Sequence, residues 1–197
     1  LFVTRALRPD FSDGVRVRGP LALEAHDFTA RLDLTGLPAD REVYVRVEFE
    51  DLTTGRLRSA PSDGRFRTPP LTRRDLRFVW SGDTAGQGWG INPAWGGMRT
   101  FEAMRLVRPD FFVHSGDTIY ADAPIAERVM LPDGGLWTNV VTEETSKVAE
   151  TLHEFRGRYR YNQLDAHVRR FGSDVPQIWQ WDDHEVLNNW SDAKDLS

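Results

Sequence analysis

Two kinds of hydrophobic patterning divide the chain. Up to about residue 70, apolar and polar side chains alternate one by one. Phe28-Thr29-Ala30-Arg31-Leu32-Asp33-Leu34 does so, and so does Glu42-Val43-Tyr44-Val45-Arg46-Val47-Glu48-Phe49. A period of two turns one face of a strand to a core and the other to water. Gly36-Leu37-Pro38-Ala39-Asp40, Thr53-Thr54-Gly55 and Asp63-Gly64 predict turns. Arg65-Phe66-Arg67-Thr68 predicts a last short strand, stopped by Pro69-Pro70. Short strands with regular turns predict an all-β sandwich over residues 1–70.

From Leu71 the pattern changes. Leu76-Arg77-Phe78-Val79-Trp80-Ser81 reads as an apolar strand and is followed by a Gly-rich loop to Gly97. Met98, Phe101, Met104 and Leu106 fall at helical spacing, and Pro109 ends that helix. Phe111-Phe112-Val113-His114 is a second strand, apolar enough for both of its faces to be covered. Strand, helix, strand in this order is a βαβ unit, which predicts a parallel sheet. Residues 148–171 predict one or two Arg-rich helices, and Gln177-Ile178-Trp179-Gln180-Trp181 a third strand.

Composition narrows the chemistry. The chain has 197 residues, 40% of them hydrophobic, and a net charge of −5, with no strong basic balance of the kind that marks a nucleic-acid binder. No apolar run is long enough to span a membrane. There is no cysteine, so disulfides, zinc-thiolate sites and thiol nucleophiles are excluded. The chain begins at Leu1 without a signal-like segment and ends in a polar run from Ser191 to Asp195. It is read as a fragment, or as a mature form that has lost an export signal.

The acids fall where chemistry is expected. Each of the three apolar strands runs into carboxylates: Ser81-Gly82-Asp83-Thr84, then Ser115-Gly116-Asp117-Thr118-Ile119-Tyr120-Ala121-Asp122, then Asp182-Asp183-His184-Glu185. Ligands of open α/β sheets bind outside the carboxyl ends of the strands, so these segments converge on one rim. Facing carboxylates repel, which raises the pKa of one of them, and a hard cation removes the repulsion. The glycines before Asp83 and Asp117 suit sharp turns. A single Gly-Asp is an ordinary turn. Three such ends in order are a metal-site pattern.

At this point the sequence resembles a known family. Ser-Gly-Asp, Gly116-Asp-x-x-Tyr120 and Asp183-His184-Glu185 are similar to the calcineurin-like metallophosphoesterase series. More narrowly, Phe112 to Asp122 and Trp181 to Asn189 resemble alkaline phosphatase D (PhoD-like) enzymes. The first seventy residues resemble a fibronectin III or immunoglobulin-like module with short or missing first strands.

The resemblance implies a sandwich at 1–70, then the N-terminal half of a four-layer αββα metallophosphoesterase domain at 71–197. It implies two metal ions drawn from Fe, Ca, Mn or Zn, with Asp83, Asp117, Tyr120 and Asp183 as ligands. His184 would stabilise phosphoryl oxygens or protonate the leaving group without ligating, and Glu185 would orient His184. Two metals would generate hydroxide and clamp a phosphate ester for in-line attack. Gly82 stands where some members have a cysteine ligand to iron, which leaves the metal open. The remaining histidine ligands would lie beyond Ser197. Export to the periplasm or outside the cell is also implied.

The remaining features have plainer readings. His114 reads as a packed strand residue, and His153 and His167 as solvated. Trp89, Trp95, Trp179, Trp181 and Trp190 read as core, with Trp89 or Trp95 as the alternative wall of a substrate pocket. The stretch from Arg156 to Tyr161 reads as a solvated helical face, with phosphate contact as the alternative. Asp122 and Asn188 are candidate outer ligands of a further cation. The competing reading of the whole chain is a non-catalytic secreted binding module with a structural cation site.

Overall fold

The computed structural model describes residues 1–55 and 58–194, so Asp195 and the last two residues of the second expected domain lie outside the described residues. Two compact units divide at Leu76 and Arg77.

The first unit carries four strands: β1 (Phe2–Ala6), β2 (Val15–Arg18), β3 (Glu42–Glu48) and β4 (Ser62–Arg67). They form one antiparallel sheet in the order β2-β1-β3-β4. Val3, Ala6 and Val43 point into its small core. β3 lies where the alternation placed it, and β1 and β2 are short, as the resemblance implied.

Two expectations for this unit are corrected. Residues 28–34 form no strand. Asp27 and Phe28 both sit in the left-handed region, at φ 53°, and Phe28 is 65% exposed. Alternation makes no strand without a neighbour to take up its N–H and C=O groups. Asp63-Gly64 is likewise not a turn but part of β4, with Asp63 opposite Arg46 and Gly64 opposite Val45. Arg46 grips Asp63 with two bonds of 2.7 Å, a cross-strand pair that overrides local turn preference.

The second unit is built on a parallel sheet of β5 (Phe78–Ser81), β6 (Phe111–His114) and β9 (Gln177–Trp179), in the order β5-β6-β9. Helix α1 (Arg99–Leu106) connects the first two strands. Helices α2 (Leu152–Asn162) and α3 (Ala166–Asp174) precede the third. A short hairpin of β7 (Arg128–Met130) and β8 (Leu136–Thr138), which the hydrophobic pattern does not reveal, lies between.

The expected 148–171 helical stretch is thus two helices, and both starts are chemically marked. Thr151 and Glu154 form a reciprocal capping box on α2. The Asp165 carboxylate accepts from His167 N and Val168 N to start α3, and also holds Met98 N at 2.9 Å.

One face of the parallel sheet is packed. Phe101 of α1, Phe112 of β6, and Val168 and Phe171 of α3 form the core with Val175. Phe112 meets Phe171 edge-on at 5.1 Å, and truncating such a ring costs about 3–5 kcal/mol. Leu106, counted on the buried face of α1 by its spacing, is exposed. β6 was expected to be covered on both faces. Among the described residues the opposite face, with Phe78, Trp80 and Ile178, is open: these are 57%, 68% and 57% exposed. Phe78 stacks on Phe111 at 5.4 Å within that face.

Candidate metal centre

The carboxyl ends of the three parallel strands carry the site. Beyond β5 and β6 the pairing continues into the turns, with Asp83 N donating to Gly116 O at 3.1 Å and Thr84 N to Asp117 O at 2.9 Å. Asp83 and Asp117 both adopt left-handed backbone, at φ 53° and 54°. Of the two preceding glycines, both expected to suit sharp turns, only Gly116 has a backbone reason. Gly116 sits at φ 101°, and a Cβ there would lie 2.4 Å from Asp182 N and Cβ. At Gly82 a Cβ would meet nothing closer than 3.6 Å.

Asp117 is the centre of the cluster. It is 7% exposed, and ligand atoms of Asp117, Asp183 and His184 all lie within 4.8 Å of one another. His184 N donates to its Oδ1 at 3.1 Å. Burial pushes the Asp117 carboxyl up to about 6, and the nearby charges of Asp183 and Glu185 add to that against the pull of His184.

Tyr120 ties Asp83 to this group. Its hydroxyl donates to Asp83 Oδ1 at 2.5 Å. Burial, then that bond and the charge of Asp117, push its phenol well above the usual range. The Tyr120 ring lies directly on the backbone of Gly86, where a Cβ would overlap it. Asp183 is held low by the hydrogen bond it accepts from Asn189 N, which keeps it anionic.

The two residues given roles beside the metals are both buried, with different partners from those expected. The carboxylate on the His184 ring is Asp122, whose two oxygens each lie 2.9 Å from Nδ1. Because the carboxylate can only accept, Nδ1 is the protonated nitrogen. Burial works against the imidazolium, but the Asp122 bond and the charges of Asp122, Asp117 and Asp183 outweigh it and raise the His184 pKa. Asp122 also accepts from Asn188 N at 2.7 Å. Its place five residues after Asp117, in the same motif, is the signal in the sequence for this role.

Glu185, expected to orient His184, instead clamps backbone. It accepts from Asp117 N at 3.2 Å, Thr118 N at 2.6 Å and Asp182 N at 2.9 Å. It joins the second and third carboxylate segments.

His114 is the packed strand residue expected. Gly116 N donates to its Nδ1, so Nε2 carries the hydrogen and donates to Thr84 Oγ1 at 3.0 Å. It stacks on Trp179 at 4.4 Å, and burial lowers its pKa.

The donor set fits a cation. Two carboxylates and an imidazole converge, one carboxylate is forced toward protonation by burial and like charge, and a phenol links a third carboxylate to them. Hard or borderline cations satisfy oxygen donors of this kind, with the His184 imidazole beside them.

Comparisons with known proteins agree with this chemistry. Alkaline phosphatase D of Bacillus subtilis (strain 168) is 30% identical over 91 residues, which are 46% of this chain and 14% of that protein. A solved structure of PhoD shares the fold with a TM-score of 0.73 at 24% identity, over 96% of this chain and 33% of that one. The chain thus spans well under two thirds of either relative. The family model described as PhoD-like phosphatase matches residues 78–197, a stretch that takes in all three carboxylate turns, and the chain belongs to that family.

Proposed function

We propose that the protein is a metal-dependent phosphoric ester hydrolase, and that this chain holds the first part of its catalytic domain. The observation that carries the reading is the convergence of buried Asp117 and His184 with half-buried Asp183 at the strand ends. The sandwich at 1–70 and the N-terminal half of a four-layer domain at 71–197 belong to the same proposal. The open face of the β5-β6-β9 sheet is where a second sheet of that domain would pack.

Asp83, Asp117, Tyr120 and Asp183 would hold the two cations of this reading. Cations bound there would supply Lewis acidity toward phosphoryl oxygens and toward water. The protein's own groups do the rest. Asp122 keeps the proton on His184 Nδ1, which leaves Nε2 as the nitrogen available to a reacting ester. The raised pKa of His184 favours the imidazolium, a cation suited to developing negative charge or to protonating the leaving oxygen. Glu185 fixes the backbone on which Asp117 stands. The substrate of this reading is a phosphate mono- or diester, and export to the periplasm or outside the cell belongs to the same proposal. No helix among the described residues is long and apolar enough to cross a membrane.

A direct test assays the full-length protein on nitrophenyl phosphate and bis(nitrophenyl) phosphate, stripped and then reloaded with Mn²⁺, Ca²⁺ or Fe³⁺. Hydrolysis of either ester that depends on reloading is expected. Absence of hydrolysis of both under every metal contradicts the proposal.

A further inference from the structure

The basic and aromatic stretch expected to be solvated turns half of itself inward. α2 buries Gly157, Arg158, Tyr161 and Asn162. Positions 158 and 162 are one turn apart and share a face. Arg158 Nη1 donates to Tyr120 O at 2.6 Å and to Ala123 O at 2.7 Å, and Nη2 donates to Lys147 O. Asn162 Nδ2 donates to Thr118 O at 2.8 Å. Ala149 N adds a bond to Ala121 O at 2.8 Å. The carbonyls of residues 118, 120, 121 and 123 are therefore all engaged.

The same short segment serves the candidate metal centre. It carries Tyr120, bonded to Asp83, and Asp122, bonded to His184, and its Ala121 N donates to His184 O at 2.9 Å. It has no helix or strand of its own, so no ladder fixes its shape. Buried backbone groups outside a ladder need other partners. A guanidinium offers several donors in one rigid plane.

Arg158 is an expensive choice if packing were its purpose. It is 3% exposed, its bonds run to neutral carbonyls, and its Nε is buried without a partner. Burying a cation costs desolvation that an apolar side chain avoids. What it gains is geometry: one plane spans residues 120, 123 and 147.

We propose that Arg158, assisted by Asn162, is a positioning residue for the metal centre. From α2 the two side chains hold the 118–123 segment in the shape that sets Tyr120 beside Asp83 and Asp122 against His184. The proposal rests on the metal-site reading above and deepens it.

The test uses the full-length protein with Arg158→Lys, Arg158→Met and Asn162→Leu, and Arg105→Met as control. Arg105 pairs with Glu102 and Asp174, away from the site. Two quantities are read: amide hydrogen exchange across 118–123 and 182–186, and calorimetric Mn²⁺ affinity after stripping. Arg158→Lys is expected to remain folded, to exchange clearly faster in both segments, and to bind Mn²⁺ about 10–100-fold more weakly, the range for residues that orient ligands. Asn162→Leu is expected to show a smaller change of the same sign. Arg105→Met is expected to lower the melting temperature and leave both readings unchanged.

Wild-type exchange and affinity in folded Arg158→Lys and Asn162→Leu overturn the proposal. So does an equal loss of affinity in Arg105→Met, which would mark general destabilisation. If Arg158→Met does not fold, Arg158→Lys decides. If the wild type binds no Mn²⁺, the metal reading fails separately. Exchange then decides whether Arg158 holds the segment: faster exchange supports it and unchanged exchange overturns it.

Discussion

The chain writes Ser-Gly-Asp-Thr twice, at 81–84 and at 115–118, and the fold makes two different sites of it. Both turns leave a parallel strand, and both aspartates take the same left-handed backbone. The first is laid against the second by backbone bonds, from Asp83 N to Gly116 O and from Thr84 N to Asp117 O, and Asp83 stays exposed. The second has its amides taken by the Glu185 carboxylate, and Asp117 is buried with its pKa raised to about 6. Identical tetrapeptides thus differ through their neighbours. One sits at the rim, and one is pressed between two others and given the electrostatic strain that a cation relieves.

That difference can be broken most strongly at Glu185. Glu185→Ala leaves Asp117 N and Thr118 N buried without acceptors, at about 1–3 kcal/mol for each orphaned group. Chemical denaturation is expected to show a loss of about 3 kcal/mol or more, with Glu185→Gln milder because its amide oxygen still accepts.

Next comes Asp117 itself. Its folded pKa, about 6, lies above its ordinary 3.8. The folded state therefore holds that proton more tightly, and the associated stability is complete below about pH 4 and lost as pH rises through 6. In metal-stripped protein, Asp117→Asn removes the buried charge and is expected to stabilise the fold above pH 6 by about 2–3 kcal/mol. Melting curves at pH 5 and pH 8 check this: the gain should be larger at pH 8.

The smallest contrast compares the two glycines. Gly116→Ala must fit a Cβ 2.4 Å from Asp182 at φ 101°, and strain of this kind costs about 1–3 kcal/mol. Gly82→Ala meets only ordinary contacts at 3.6 Å and is expected to stay within about 0.5 kcal/mol of wild type. Equal effects would mean that the two turns are not packed differently.

Much of this was legible in the sequence, and the residues explain why the rest was not. The strand ends with their acids, the βαβ order and β3 follow from apolar runs and alternation, which are local signals. The alternation at 28–34 failed because a strand needs a partner, and Asp63-Gly64 because Arg46, far away in sequence, claimed Asp63. The family resemblance implies that Glu185 orients His184, whereas its carboxylate reaches back to residues 117 and 118, far away in sequence. Arg158 was hidden by charge. A helix rich in arginine reads as solvated, and only the irregular 118–123 segment beneath it explains a buried guanidinium.

The most direct measurement is a calorimetric titration of Mn²⁺ into stripped full-length wild type and Asp117→Ala. If the buried second turn is the heart of the metal site, the wild type releases or absorbs heat to a defined stoichiometry and Asp117→Ala shows none. Binding of equal affinity and stoichiometry in the two proteins would contradict the account.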